Sequence, residues 1–144
     1  ASPVLKKTTL SERAARPAEK ARLDLGPDGR VFQIKRDRQI DGVVAVRETI
    51  VVSAALFEGL GKRQSLPNTL YTLYQSEFGV SIVSASEQIE AIAAGREDAE
   101  ALGVEPGSPI IEVNRVAYDI TGRTIELRQS RFATGKLIYS VELR

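Results

Sequence analysis

Two hydrophobic rhythms divide this chain. Residues 31–38 and 43–52 are strand-like runs on either side of Asp41-Gly42, a pair suited to the tight turn of a β-hairpin. Residues 110–118 and 124–132 do the same around Ile120-Thr121-Gly122, and a last strand is expected at 137–143, after Thr134-Gly135. Between 68 and 77 the period lengthens: Leu70, Leu73 and Tyr74 fall at i, i+3 and i+4, with Phe78 beside their stripe and Gly79 placed to stop the helix. Short helices are expected where Pro17 opens a segment ended by Gly26, and from 96 to 102 ahead of Gly103. Residues 80–94 fit both rhythms, because Glu87, Gln88, Glu90 and the alanines favour helix while Val83, Ala85, Ile89 and Ala91 alternate as in a strand. Residues 1–16 are polar and aperiodic, a linker or an edge strand around Val4 and Leu5.

The pattern occurs twice. Residues 23–36 align without gaps with residues 102–115, Leu23 on Leu102, Val31 on Ile110 and Arg36 on Arg115, at an offset of 79 positions. Each copy is a short helix feeding a hairpin. Two such units are too few for a solenoid, but two hairpins can merge into one antiparallel sheet with helices packed on it, which predicts an α+β domain.

Strand parity exposes an anomaly in the first hairpin. Phe32 and Ile34 share a face with Arg36 and Arg38, and on the returning strand Val44, Val46, Ile50 and Val52 share theirs with Glu48. If both apolar faces meet the core, Arg36 stands opposite Glu48, and the parity asks for an odd-length loop between the strands. An Arg36–Glu48 ion pair is a sufficient structural account of those two residues. Arg38 is left over, and a second cation beside a core is costly unless it is solvated or meets an anion, so the face suggests a cleft for an anionic ligand. By the same parity Glu126, Arg128 and Ser130 share a strand face that, read alone, is a solvated one. Tyr71 and Tyr74 read as ordinary core or surface aromatics.

Composition then removes whole classes of chemistry. The 144 residues include no Cys and no His, so disulfides, thiolate nucleophiles, Ser-His-Asp triads and His-ligated metal sites are excluded. There is no clustered Asp pattern for Mg or Ca and no glycine-rich phosphate loop; neither a metal nor a cofactor is expected. Twenty basic residues against 19 acidic leave a net charge of +1, too little excess for this segment to bind DNA by itself. No apolar run approaches membrane-spanning length and no signal peptide is visible, which predicts a cytoplasmic protein. The lack of any Met, an initiator included, is expected of a segment from a longer gene product.

The order of the motifs resembles the effector-binding (UTRA) domain of HutC-subfamily, GntR-type bacterial regulators. The markers are Ile34-Lys-Arg36-Asp-Arg38 with Asp41-Gly42 and Glu48; Thr69-Leu-Tyr71-Thr-Leu-Tyr74 with Phe78-Gly79-Val80; Glu87-Gln-Ile-Glu90-Ala91; Ala99-Glu-Ala-Leu102-Gly103; and Arg115-Val-Ala-Tyr118-Asp119-Ile-Thr-Gly122-Arg123 followed by Glu126. The resemblance spans about residues 23–143. It implies a chorismate-lyase-like fold with a long strand over residues 80–92, homodimers, and a winged helix-turn-helix upstream of Ala1. On that reading residues 1–16 join the two domains and residues 17–144 form the effector domain.

Relatives of this kind are transcriptional regulators, often repressors, that sense small metabolites, commonly phosphosugars or carboxylates, and change operator affinity in response. The matching pocket positions are Arg36, Arg38, Glu48, Thr69, Tyr71, Glu126 and Phe132. The resemblance implies that Arg36, Arg38 and the helix start at Thr69 hold an anionic group, and that Glu48 and Glu126 accept hydrogen bonds from ligand hydroxyls. Phe132 stands where Tyr is frequent, so one polar contact is missing. Relatives also draw a contact from an interdomain linker, expected here upstream of Ala1. The competing reading is a chorismate-lyase-like enzyme acting on an aromatic carboxylate; the repeat and the Tyr118-Asp119 and Gly122-Arg123 markers favour the regulator and a non-enzymatic role.

Overall fold

The computed structural model describes residues 4–135. They form one six-stranded antiparallel sheet in the order β1-β2-β3-β6-β5-β4: β1 Val4–Ala14, β2 Arg30–Ile40, β3 Val43–Ser53, β4 Ser84–Ala93, β5 Pro109–Tyr118 and β6 Thr124–Phe132. Helix α1 (Pro17–Arg22) precedes the β2–β3 hairpin and α3 (Arg96–Leu102) precedes the β5–β6 hairpin. Between the hairpins lie a 3-10 turn at Leu60–Lys62 and helix α2 (Leu70–Phe78). The strand expected at 137–143 lies outside the described residues. The α+β architecture read from the sequence is the observed one.

The two hairpins meet through their second strands, where Arg47 to Val52 of β3 pair with Arg131 to Glu126 of β6. The sheet then buries both faces. On one, α2 and the segment before it cover Phe32, Ile34, Ile50, Val52 and Ile125 with Phe57, Leu60, Leu70, Leu73, Tyr74 and Val80. On the other, Ala15 and Leu23, on either side of α1, pack against Val31 and Val51, and α3 packs Ala99 and Leu102 against Ile110 and Ala133. The Phe57 ring meets those of Tyr74 and Phe78 at tilted and edge-on angles, with centroids 4.7 and 5.2 Å away, locking α2 to the preceding segment. No helix among the described residues is long and apolar enough to cross a membrane.

Local expectations and structure differ at three places. The β2–β3 loop is the two-residue turn Asp41-Gly42, with φ of 52° and 78°, as a type I′ turn requires. The parity that asked for an odd-length loop is met by a bulge, since Arg38 pairs with Val46 while Gln39 pairs with Val44, leaving Ala45 as the extra residue. The long strand expected from residue 80 begins at Ser84; Val80 instead turns inward beneath α2, its N–H donating to the Tyr74 carbonyl after Gly79 ends the helix in the left-handed conformation at φ 67°. Helix propensity over 84–93 yields to pairing with all of β5. Residues 4–14, ambiguous in the sequence, form an edge strand paired along β2.

Candidate functional site

Arg36 and Glu48 pair across the β2–β3 ladder, and both are buried, Arg36 to 1% exposure. Arg36 donates from Nε and Nη2 to one oxygen of Glu48, Oε1, at 3.1 and 2.9 Å, and from Nη1 to the Asn68 carbonyl at 3.0 Å. Burial lowers the pKa of this guanidinium, Glu48 opposes the shift, and neighbouring Arg128 and Arg38 add to it. It stays protonated, because arginine starts so far above neutrality.

Arg38 is held more loosely. Its side chain is 23% exposed, Nη2 donates to Asn68 Oδ1 at 3.0 Å, and Nη1 lies 3.8 Å from Glu48 Oε1. Its Nε–H is buried and has no hydrogen-bond acceptor among the described residues. Asn68 and Thr69, both exposed, lead into α2, whose N-cap Thr69 makes no side-chain capping bond. Two guanidinium groups therefore converge on the uncapped, positive end of a helix, an arrangement that attracts an anion.

A second cluster continues deeper along the sheet. Glu126 is fully buried on β6 and accepts from Tyr74 Oη at 2.6 Å, from Tyr71 Oη at 3.4 Å, and from Arg128 Nε and Nη2 at 2.8 and 3.0 Å. Arg128 also reaches 3.6 Å from Glu48 Oε2 and lies over the Tyr71 ring, 5.2 Å from its centroid, so it connects the two clusters. Arg115 on β5 donates to Tyr71 Oη at 3.3 Å and to Glu87 on β4 at 2.9 Å. Burial and the Glu126 charge raise the Tyr74 hydroxyl well above the ordinary tyrosine value, and Tyr71 moves the same way to a smaller degree. In this cluster the guanidinium groups of Arg36, Arg38, Arg115 and Arg128 face the carboxylates of Glu48, Glu87 and Glu126.

The structure thus brings Arg36, Arg38, Glu48 and Thr69 to one end of α2 and joins them, through Arg128, to Tyr71 and Glu126. Phe132 is buried opposite Ile111, two residues beyond Ser130, which faces Glu48. Sequence reasoning missed Asn68, Arg115 and Arg128, and took Tyr74 for an ordinary aromatic. The face of Glu126, Arg128 and Ser130, read as solvated, is the covered one: Val52 opposite Glu126 and Ile50 opposite Arg128 fix it to the core side. That pairing was the missing signal.

The opposite face carries a groove of about 440 Å³ near the start of α3, lined among others by Lys35, Arg47, Asp98 and Arg131. Its two central arginines are already matched. Arg47 bonds Asp37 and Asp98 at 3.1 and 3.0 Å, and Arg131 bonds Asp98 and Glu112, both at 2.8 Å. The demand for an anion is therefore stronger at Arg38.

Fold and site together define a domain built on a single antiparallel sheet, with a buried cluster of arginines and carboxylates beneath one helix. The UTRA domain model matches residues 2–137, and the chain belongs to that family. The ligand-binding domain of a putative GntR-family transcriptional regulator from Bordetella bronchiseptica superposes with a TM-score of 0.85 at 29% identity, covering 99% of this chain and 90% of that one. The effector domain of PhnF from Mycobacterium smegmatis has the same fold, with a TM-score of 0.87 at 23% identity over 99% of this chain and 86% of that one. In sequence, the HTH-type transcriptional repressor PhnF of Mycolicibacterium smegmatis is 26% identical over 110 residues, 76% of this chain and 45% of the repressor. The HTH-type transcriptional regulator Rv0792c of Mycobacterium tuberculosis is 36% identical over 59 residues, 41% of this chain and 22% of that regulator. The chain spans less than half the length of either regulator.

Proposed function

We propose that this chain is the effector-sensing, dimer-forming domain of a cytoplasmic bacterial regulator of the HutC subfamily, with a chorismate-lyase-like fold built from two copies of a helix–hairpin unit. An anionic metabolite binds between Arg36, Arg38 and the N-terminus of α2, and its binding alters operator affinity in a winged helix-turn-helix domain joined through residues 1–16. The observation that carries this reading is the partly exposed Arg38, whose Nε–H has no acceptor among the described residues, beside an uncapped helix N-terminus. The names of the matched relatives, all regulators, support a regulatory role over lyase chemistry. Homodimerisation belongs to the same reading, because among the described residues the sheet ends in the outer strands β1 and β4, edges that call for cover.

Calorimetric titration with inorganic phosphate, malonate and glucose 6-phosphate tests the anion site: binding of at least one is expected, and no heat from any of the three overturns it. Light scattering at micromolar concentration tests the dimer, and a monomer alone overturns that part.

A further inference from the structure

Arg128 engages both carboxylates of the buried cluster and its aromatic ring. Its fork spans both oxygens of Glu126, at 2.8 and 3.0 Å, while Tyr74 and Tyr71 supply two further donors to the same carboxylate. A carboxylate offers about four acceptor positions, so Glu126 is saturated within the protein. Nη1 of Arg128 faces the Glu48 oxygen that Arg36 leaves free, Oε2, at 3.6 Å. The guanidinium also lies against the Tyr71 ring, 5.2 Å from its centroid, and so covers that aromatic surface. One side chain thus takes up both carboxylates and the aromatic surface. Just before the first turn of α2 the surroundings are more open: Asn68 and Thr69 are exposed, and Arg38 Nε–H has no acceptor among the described residues.

We infer that Arg128 sets the ligand class of this site, restricting it to a compact oxyanion of phosphate or small-carboxylate size and excluding phosphosugars. This rests on the anion site proposed above. Arg36, Arg38 and the α2 amides bind the charge, and Arg128 closes the adjoining space.

The test is titration of three forms, wild type, Arg128→Ser and Arg128→Ser/Glu126→Gln, with inorganic phosphate, malonate and glucose 6-phosphate. The single variant leaves Glu126 buried without its cation. The double variant removes both charges, and its glutamine still offers polar atoms to a hydroxyl, so it guards against loss of folding. Wild type is expected to bind phosphate or malonate at least about tenfold more tightly than glucose 6-phosphate. The folded variants are expected to shift that ratio toward glucose 6-phosphate by about tenfold or more. Preference of the wild type for glucose 6-phosphate, or an unchanged ratio in a folded variant, overturns the role of Arg128 while leaving the anion site in place. Failure of all three probes to bind wild type removes the anion site itself, and the selectivity with it.

Discussion

Arg36 and Glu48 face one another across β2 and β3 with two hydrogen bonds to a single carboxylate oxygen, 2.9 and 3.1 Å long, inside a face of Phe32, Ile34, Ile50 and Val52. Ions buried this deeply are stable only as a pair, and breaking one is worse than removing both. Arg36→Ala is expected to destabilise the fold by about 3–5 kcal/mol, and the apolar replacement Arg36→Met/Glu48→Leu by distinctly less. Urea denaturation of both variants checks the order. A double variant no more stable than the single one would mean that Glu48 is held mainly by Arg128.

Tyr74 gives the matching test on the other carboxylate. Its hydroxyl donates at 2.6 Å to the buried Glu126, whereas that of Tyr71 stands at 3.4 Å. Tyr74→Phe should cost about 1.5–3 kcal/mol, as for a hydrogen bond to a charged group, and Tyr71→Phe clearly less. Because burial and the Glu126 charge raise the Tyr74 hydroxyl, the folded state holds this proton more tightly than the unfolded chain does. The resulting stability is complete below the unfolded value of about 10 and is lost as pH rises through the folded one. The stability difference between wild type and Tyr74→Phe should therefore narrow above about pH 10, and a constant difference would contradict the assignment.

Both hairpins, all three helices and the Arg36–Glu48 pairing were legible because each depends on residues close in sequence. Period-two alternation around Asp41-Gly42 or Gly122 identifies a hairpin, and parity then aligns charges within it. The β3–β6 junction is different in kind. It joins residues about 80 positions apart, and only that pairing tells which face of β6 meets the core. Sequence alone therefore leaves Arg128 on a solvated face, and Glu126 enters only through the family resemblance. The bulge at Ala45 was invisible for a related reason, since parity shows that one residue is extra but not where it sits. Phe57 and Leu60 lie in a segment without either rhythm, and their burial follows from α2 folding back over them.

Glu19 offers a test on the opposite face, at α1. Arg13 donates to both its oxygens at 2.7 and 2.8 Å, and the Arg16 backbone N–H to one of them at 2.8 Å. The Arg13 hydrogen bonds lower its pKa, burial opposes this, and the Arg16 amide adds to the lowering. A lowered carboxylate contributes stability above its unfolded value, about 4.3, and loses it as pH falls through the folded value. Glu19→Gln should be less stable than wild type at pH 7 by about 1 kcal/mol, a figure discounted because the Arg13 partner is partly solvated. The difference should shrink below about pH 4. Thermal denaturation across that range decides, and a gap that stays constant into acid would place the effect in packing instead.

Arg38 separates a binding role from a structural one most cleanly. It shares the buried face with Arg36, yet among the described residues its side chain makes a single hydrogen bond, to the exposed Asn68, and a distant approach to Glu48 at 3.8 Å. Removing it breaks no short buried ion pair, and it withdraws a cation whose Nε–H has no acceptor among the described residues, a donor that is costly to bury. Arg38→Ala without ligand should therefore be as stable as wild type, or slightly more so. If the side chain holds an anion at the start of α2, the same substitution should weaken binding of that anion by about 1.5–3 kcal/mol, the range for a charged hydrogen bond. The two measurements, chemical denaturation of the free protein and calorimetric titration with phosphate or malonate, have to be made on one preparation. Lost stability with unchanged affinity would make Arg38 a structural partner of Glu48, and the anion site would have to be sought elsewhere on the sheet.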